Sequence, residues 1–312
     1  MTGPRVSVVM AAYNAQDYLG AAISSALTQT HPDVEVVVVD DGSTDDTYRV
    51  AQAYGDRITL VRQENAGCAA ARNTAIAHAS GDFIANCDSD DILMPHHVER
   101  CLRTLQEAPA RTWVCADAVQ LTDQGLGGSI LAYGRIPPHA QREAILQANI
   151  ATVFSFFPRA LTDEVGLYDS RLRYAEDWDL WVRSILAGWR VRAVDTPTAL
   201  YRVRSDSMSH HTTAMIEAEE HIFRSVREQL SETLTPSERA HIDRRLERGS
   251  ARDLVRQSEE CLAAGQWRGG APPGEPPPAR LPPDQRLQRK ARLLKVFPRA
   301  GQLITHRRSR AS

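Results

Sequence analysis

Three carboxylates stand within four residues, Asp88-Ser89-Asp90-Asp91, directly after an apolar run at 83–86. Acids this close repel one another unless a cation is shared. Hard divalent ions such as Mg²⁺ and Mn²⁺ take oxygen ligands. One or two protein carboxylates suffice for them, with water and substrate phosphates filling the rest of the shell. A solvated acidic turn is the plainer alternative. A second acidic group, Glu176-Asp177-Trp178-Asp179-Leu180-Trp181, sets carboxylates among tryptophans. Burial raises a carboxyl pKa and makes the group a better proton acceptor near neutral pH, so Asp177 is a candidate general base. Acids there could equally serve only the first turn of a helix. A third group is Asp40-Asp41-Gly42-Ser43-Thr44-Asp45. A carboxylate at the carboxyl end of a strand can accept hydrogen bonds from a base or a ribose, but Asp and Ser before a helix also make good caps. Arg72, beside Asn73, could reach a diphosphate or position an acid. Tyr13, within Ala12-Tyr13-Asn14, could stack on a base or fill a core.

These residues need a scaffold. Short β-branched runs alternate with helical patterns through the first half of the chain, which argues for βαβ units and a largely parallel sheet. Strands are expected at 5–10, 34–39, 58–61, 83–86, 113–116, 152–157, 191–194 and 199–203. Helices are expected at 16–29, from a cap at Ser43 or Thr44 to about Tyr54, and at 68–79, 95–107 and 176–186. The first helix should bury Leu19, Ile23, Ala26 and Leu27. Residues 125–128 read as a loop. Helical, charge-rich segments occupy 213–262, a Pro/Gly-rich stretch at 269–283 does not favour compact folding, and a basic tail follows.

The 312 residues carry a formal net charge of -2. The ten Lys/Arg and single acid from Arg280 onward give that tail about +9 and leave about -11 for the rest, so nucleic-acid binding by the main body is not expected. Five cysteines without a Cys-x-x-Cys pair argue against a disulfide framework and fit a reducing cytosol. Neither a signal peptide nor an apolar run of membrane-spanning length is apparent.

Taken together, and in this order, the segments resemble the family 2 glycosyltransferases, which have the GT-A fold. The matching string runs from Val6-Ser7-Val8-Val9-Met10 and Ala12-Tyr13-Asn14, through Val38-Val39-Asp40-Asp41-Gly42-Ser43-Thr44-Asp45 and Asn65-Ala66-Gly67 with Ala71-Arg72-Asn73. It continues through Asp88-Ser89-Asp90-Asp91 to Glu176-Asp177-Trp178-Asp179-Leu180-Trp181 and Arg183. The resemblance spans roughly 4–210. It implies an α/β, Rossmann-like domain with a mostly parallel central sheet and flanking helices, plus a helical C-terminal extension. Ala12, Tyr13, Asn14, Asp40, Arg72 and Asp88 would bind the nucleotide, usually a uridine diphosphate sugar. Asp90, with Asp88, would hold Mg²⁺ or Mn²⁺, and Asp177 would be the base of an inverting transfer. Glu176, Trp178 and Arg204 are further candidates for acceptor or phosphate contacts. Family members often carry a His shortly after a Tyr-Arg near the end of the domain. Here Tyr201-Arg202-Val203-Arg204 puts Arg204 at about that place, where it could neutralise diphosphate charge instead.

The expected organisation is a catalytic domain at 1–212, a helical extension at 213–265, a linker at 266–285 and a basic tail at 286–312. The acceptor would be a glycan, a lipid-linked molecule or a small molecule. The protein would be cytoplasmic. The basic tail is either a solvated, disordered segment, since Pro298 and Gly301 interrupt any long helix, or a peripheral contact for the inner membrane face. A pyrophosphorylase or an NAD-dependent enzyme would need a glycine-rich loop after the first strand, where Ala11-Ala12-Tyr13-Asn14-Ala15 stands. The remaining alternative is a nucleotide-sugar binder without catalysis.

Overall fold

Helices cover both faces of a seven-stranded sheet whose middle strand is the fourth in the chain. The computed structural model describes residues 3–131, 136–137, 139–194, 196–204 and 212–248. Of the two units into which the chain divides, 1–254 and 255–312, only the first contains described residues. The expected linker and basic tail therefore lie outside the described residues.

Strand β1 (Val6–Ala12) pairs in parallel with β2 (Val34–Asp40), setting Ala12 opposite Asp40. On its other side it pairs in parallel with β4 (Phe83–Asn86). The full order is β10 (Arg190–Ala193), β6 (Thr112–Cys115), β9 (Ser155–Pro158), β4, β1, β2 and β3 (Thr59–Arg62). Strand β9 runs against both its neighbours and the other six run one way. Successive side chains of a strand face opposite ways, so a sheet covered on both faces needs continuous apolar runs. Val6, Val8 and Met10 pack on the side of Leu19 and Ile23 from helix α1 (Leu19–Leu27). Val9, Val37 and Val39 pack on the opposite side, with Ala71 and Ala75 from α3 (Cys68–His78) and Leu180 and Trp181 from α7 (Glu176–Leu186). Full burial of a valine contributes about 1.5 kcal/mol or more.

A smaller sheet of order β5 (Ile92–Leu93), β11 (Ala199–Arg202), β7 (Ala118–Thr122) and β8 (Gly125–Ser129) lies beside the first. Strand β11, expected to complete the main set, belongs to this second sheet. The stretch 125–128 is a strand rather than a loop. It pairs antiparallel with β7, and glycine's weak strand propensity is overridden by that ladder. Helix α2 (Thr47–Gln52) starts later than expected. Its N-cap position is Asp46, Asp45 before it accepts the Thr47 N–H at 3.0 Å, and the Ser43 hydroxyl accepts the Asn14 N–H instead.

Helices α4 (His97–Gln106), α5 (Gln141–Gln147) and α6 (Arg159–Val165) complete the cover, the last two without a clear sequence signal. The extension forms α8 (Thr212–Gln229) and α9 (Pro236–Arg248) and shares a core with α7. The Trp178 and Phe223 rings meet edge-on at 5.7 Å, and Arg142 reaches both Glu238 and the Leu186 carbonyl. Among the described residues, no helix is long and apolar enough to cross a membrane.

Candidate functional site

The carboxyl ends of β1, β2 and β4 lie side by side, where ligands of open α/β sheets bind. On the β1/β2 side, Asp40 is fully buried. Arg62 Nε lies 3.0 Å from its Oδ2 and the Ser43 N–H donates to Oδ1 at 3.3 Å. The arginine meets Oδ2 off a hydrogen-bond direction, so that oxygen has charge compensation without a donor. Asp41 spends both oxygens on the loop into α3, accepting from Gln63 Nε2 at 2.7 Å and from the Ala66 and Gly67 N–H groups at 2.9 Å. Gly42, at φ 73°, lets that loop close in, because a Cβ there would stand 2.8 Å from the Asn65 nitrogen. Asn14 clasps the neighbouring loop, its Oδ1 accepting the Thr44 N–H at 2.9 Å. Ala12 is buried and its carbonyl accepts the Asp41 N–H. Tyr13 is 50% exposed, so it is no core aromatic and its ring offers open surface.

On the β4/α7 side the centre is Arg72, 5% exposed on α3. Its Nη2 donates to Asp88 Oδ1 at 2.6 Å and its Nη1 to Glu176 Oε1 at 2.5 Å. Tyr168 fixes it from behind, with its ring centroid 5.6 Å from the guanidinium. The Tyr168 hydroxyl accepts from Asn86 Nδ2 at 2.5 Å, and the Asn73 amide grips the Tyr168 backbone from both sides. Arg72 thereby ties Asp88, two residues beyond β4, to the first turn of α7.

Asp177, half-buried, follows Glu176 on that turn. Burial pushes its carboxyl above the usual range, opposed by Arg72 and by a hydrogen bond from Asn149 Nδ2. The Asn149 bond is 2.9 Å to Oδ2, while Oδ1 accepts the Trp178 N–H at 2.8 Å, so both oxygens are held in place. Burial also raises Glu176, with Arg72 as the main opposing influence. The chain enters α7 through Ala175 at φ 56°, a left-handed conformation that costs an alanine about 1 kcal/mol. Two expectations need correction here. Glu176 is only 5% exposed and paired with Arg72, so it orients the site rather than facing an acceptor. Trp178 is 4% exposed and its indole donates to the Ile145 carbonyl, which makes it a core residue that supports α7.

The remaining acids meet β11. Asp91 is 1% exposed, and its Oδ1 accepts the Arg202 N–H at 2.8 Å while Oδ2 has no donor. Burial and then Asp88 push its carboxyl well above the ordinary range. Asp90 is raised for the same two reasons, against the pull of Arg204 Nη1 at 3.5 Å from its Oδ2. Arg202 donates to the Asp90 carbonyl at 2.9 Å, and the guanidinium carbons of Arg202 and Arg204 lie 4.8 and 5.0 Å from the centre of the Tyr18 ring. Among the described residues no three His, Cys, Asp or Glu side chains form a ready cation cage. Asp88 and Asp90 are instead partly exposed carboxylates in a crowded acidic patch. That donor set fits an ion sharing its shell with phosphates and water.

Arg72, expected as a nucleotide contact, is committed to the two carboxylates. Sequence reasoning missed Tyr168, Asn149, Asn86 and Tyr18. None of them is charged, although Asn86 stands just before the acidic run, and their roles come from contacts that span from 28 residues of chain, Asn149 to Asp177, to 186, Tyr18 to Arg204.

Residues 7–166, half of the chain, match the family described as Glycosyl transferase family 2; Asp177 falls beyond the matched segment. The putative glycosyltransferase EpsE of Bacillus subtilis is 32% identical over 219 residues, covering 66% of this chain and 75% of that one. The chondroitin synthase of Pasteurella multocida is 34% identical over 185 residues, 58% of this chain and 19% of that one. The chain spans 58% of the length of an uncharacterized glycosyltransferase of Rickettsia prowazekii, at 30% identity. Two solved structures share the fold. S. aureus TarS in complex with UDP-GlcNAc has a TM-score of 0.59 at 21% identity, covering 83% of this chain and 75% of that one. A mannosyltransferase from Pyrobaculum calidifontis, in complex with GDP-Man and Mn²⁺, has a TM-score of 0.59 at 21% identity, covering 95% and 81%.

Proposed function

The chain belongs to glycosyl transferase family 2, with a GT-A-like fold, and on that premise we propose that it is an inverting, metal-dependent transferase of one sugar from a nucleotide-diphosphate sugar to an acceptor hydroxyl. The observation that supports the reading is the Arg72 bridge, which joins Asp88 to Glu176, the neighbour of Asp177, although 88 positions separate them in the chain.

Asp177 takes the acceptor proton as the hydroxyl oxygen attacks the anomeric carbon. Its raised proton affinity suits it to this, and the Asn149 and Trp178 contacts aim it. One base is enough for inversion, since retention by double displacement would also need a nucleophile. Asp90 and Asp88 would hold Mg²⁺ or Mn²⁺, which when bound supplies Lewis-acid charge for the departing diphosphate. Tyr13 offers a stacking face to the base, while Ala12, Asn14 and Asp40 shape the loop around it. Arg72 is a positioning residue that holds Asp88 and Glu176 on either side of its guanidinium and screens their repulsion.

UDP-sugars are the first donors to test. One neighbour was solved with UDP-GlcNAc and another with GDP-Man and Mn²⁺, so both bases belong in the assay. The acceptor is a glycan, a lipid-linked molecule or a small molecule.

The test is a screen of UDP-, GDP- and dTDP-sugars with Mg²⁺ or Mn²⁺, following release of nucleoside diphosphate. Metal-dependent release that Asp177→Asn abolishes supports the proposal. Tight binding without release from any donor would leave a pure binder. A product anomer like the donor's would overturn inversion.

A further inference from the structure

Two arginines leave β11 toward the acidic patch, and their surroundings differ. Arg202 is built in. Its backbone N–H donates to Asp91, its Nε donates to the Asp90 carbonyl, and its guanidinium lies over Tyr18. Arg204 lies over the same ring but reaches the carboxylate of Asp90 itself, across a long 3.5 Å. The side chains of that pair are 28% and 25% exposed, so water and ions reach them, and at 3.5 Å the contact is longer than a close charge-assisted hydrogen bond. A small divalent ion has a far higher charge density than a guanidinium. It would take Asp90 in preference and then repel the cation beside it.

Resting on the function proposed above, we propose that Arg204 is an exchangeable counter-ion. It neutralises Asp90 while the donor site is empty, is displaced when a divalent ion takes that carboxylate, and then binds the donor's diphosphate. The guanidinium fork suits paired phosphate oxygens. Tyr18 is the platform that keeps the displaced side chain near, because its ring face attracts a cation without specifying one position. Arg202 stays where it is and keeps Asp90 and Asp91 in register with β11.

The proposal requires one substitution to move two affinities in opposite directions. In Arg204→Ala of the full chain, Mn²⁺ alone should bind about threefold more tightly, because a competitor and a repelling charge are gone. Binding of UDP or GDP in the presence of saturating Mn²⁺ should weaken about tenfold, because a charge-assisted contact to phosphate is lost. Free Mn²⁺ can be followed by its electron paramagnetic resonance signal and nucleotide by calorimetry. Arg204→Lys, which keeps the charge without the fork, should fall between. Arg204 is partly exposed, and an unchanged melting temperature would show the variant is folded. Weaker Mn²⁺ binding in Arg204→Ala, or unaltered nucleotide binding, overturns the exchange. Asp90→Asn separates this failure from that of the site itself. If Asp90→Asn leaves Mn²⁺-dependent nucleotide binding intact, the donor site is misplaced. If it abolishes that binding while Arg204→Ala behaves as the parent, only the counter-ion role is wrong.

Discussion

The two sides of the site use carboxylates for different ends. Beyond β1 and β2, Asp41 satisfies three donors and Asp40 has Arg62, so these acids are spent on holding loops. Beyond β4 and at α7, five carboxyl groups (Asp88, Asp90, Asp91, Glu176 and Asp177) face three guanidinium groups, those of Arg72, Arg202 and Arg204. Burial and mutual repulsion raise four of the five. An acid whose hydrogen bonds are complete stabilises a fold, whereas acids left in excess are tolerated where a ligand supplies the missing positive charge. The difference supports the proposal that chemistry takes place on the second side, with the first as the frame that shapes the nucleotide site.

The largest effect expected from breaking this contrast is catalytic. Asp177→Asn should lower kcat by about 10²–10⁴ while binding of UDP or GDP with Mn²⁺ stays within about twofold; an equal loss of binding would remove its role as a base. Arg72→Met should cost about 3–5 kcal/mol in chemical denaturation, because buried Glu176 loses its partner. A cost under 1 kcal/mol would show that the bridge is incidental.

Acid probes the frame from a third direction. His97 is fully buried, with Nδ1 2.9 Å from Thr198 Oγ1, and burial pushes its pKa down to about 4. The unfolded chain would titrate near 6.5 and so binds the extra proton first as pH falls. Stability from this group is therefore complete above about pH 6.5 and is lost between there and pH 4, by up to ~3 kcal/mol. His97→Asn should flatten that part of the stability–pH curve.

The sharpest and smallest test is a matched pair. Asp41→Ala strands three donors and should destabilise by about 2–3 kcal/mol. Asp90→Asn relieves crowding and should stabilise slightly, by about 0.5 kcal/mol, while ending Mn²⁺-dependent nucleotide binding. Equal signs for the two would erase the distinction between frame and site.

Much of the scaffold was legible beforehand. Valine-rich runs at 34–39 and 6–10, broken only by Glu35 and by Ser7 and Met10, are suited to burial on both faces of a covered sheet, and Asp88 and Asp40 fall just beyond or at strand ends. Strand β8 and helices α5 and α6 were not legible, because their glycine-rich or short segments are stabilised by neighbours distant in the chain. Residues 255–312, which hold the basic tail, have no described structure to compare.

Sequence alone determined which side chains could do chemistry and that they would arrive at strand and helix ends, since periodicity and composition act locally. Tertiary structure alone decided which acid meets which cation. Arg72 was as open to a phosphate as to a carboxylate until Tyr168, Asn73 and Asn86 closed around it. Trp178 read as an acceptor contact until α8 covered it. Electrostatic roles depend on distance and burial, and both are properties of the packed chain.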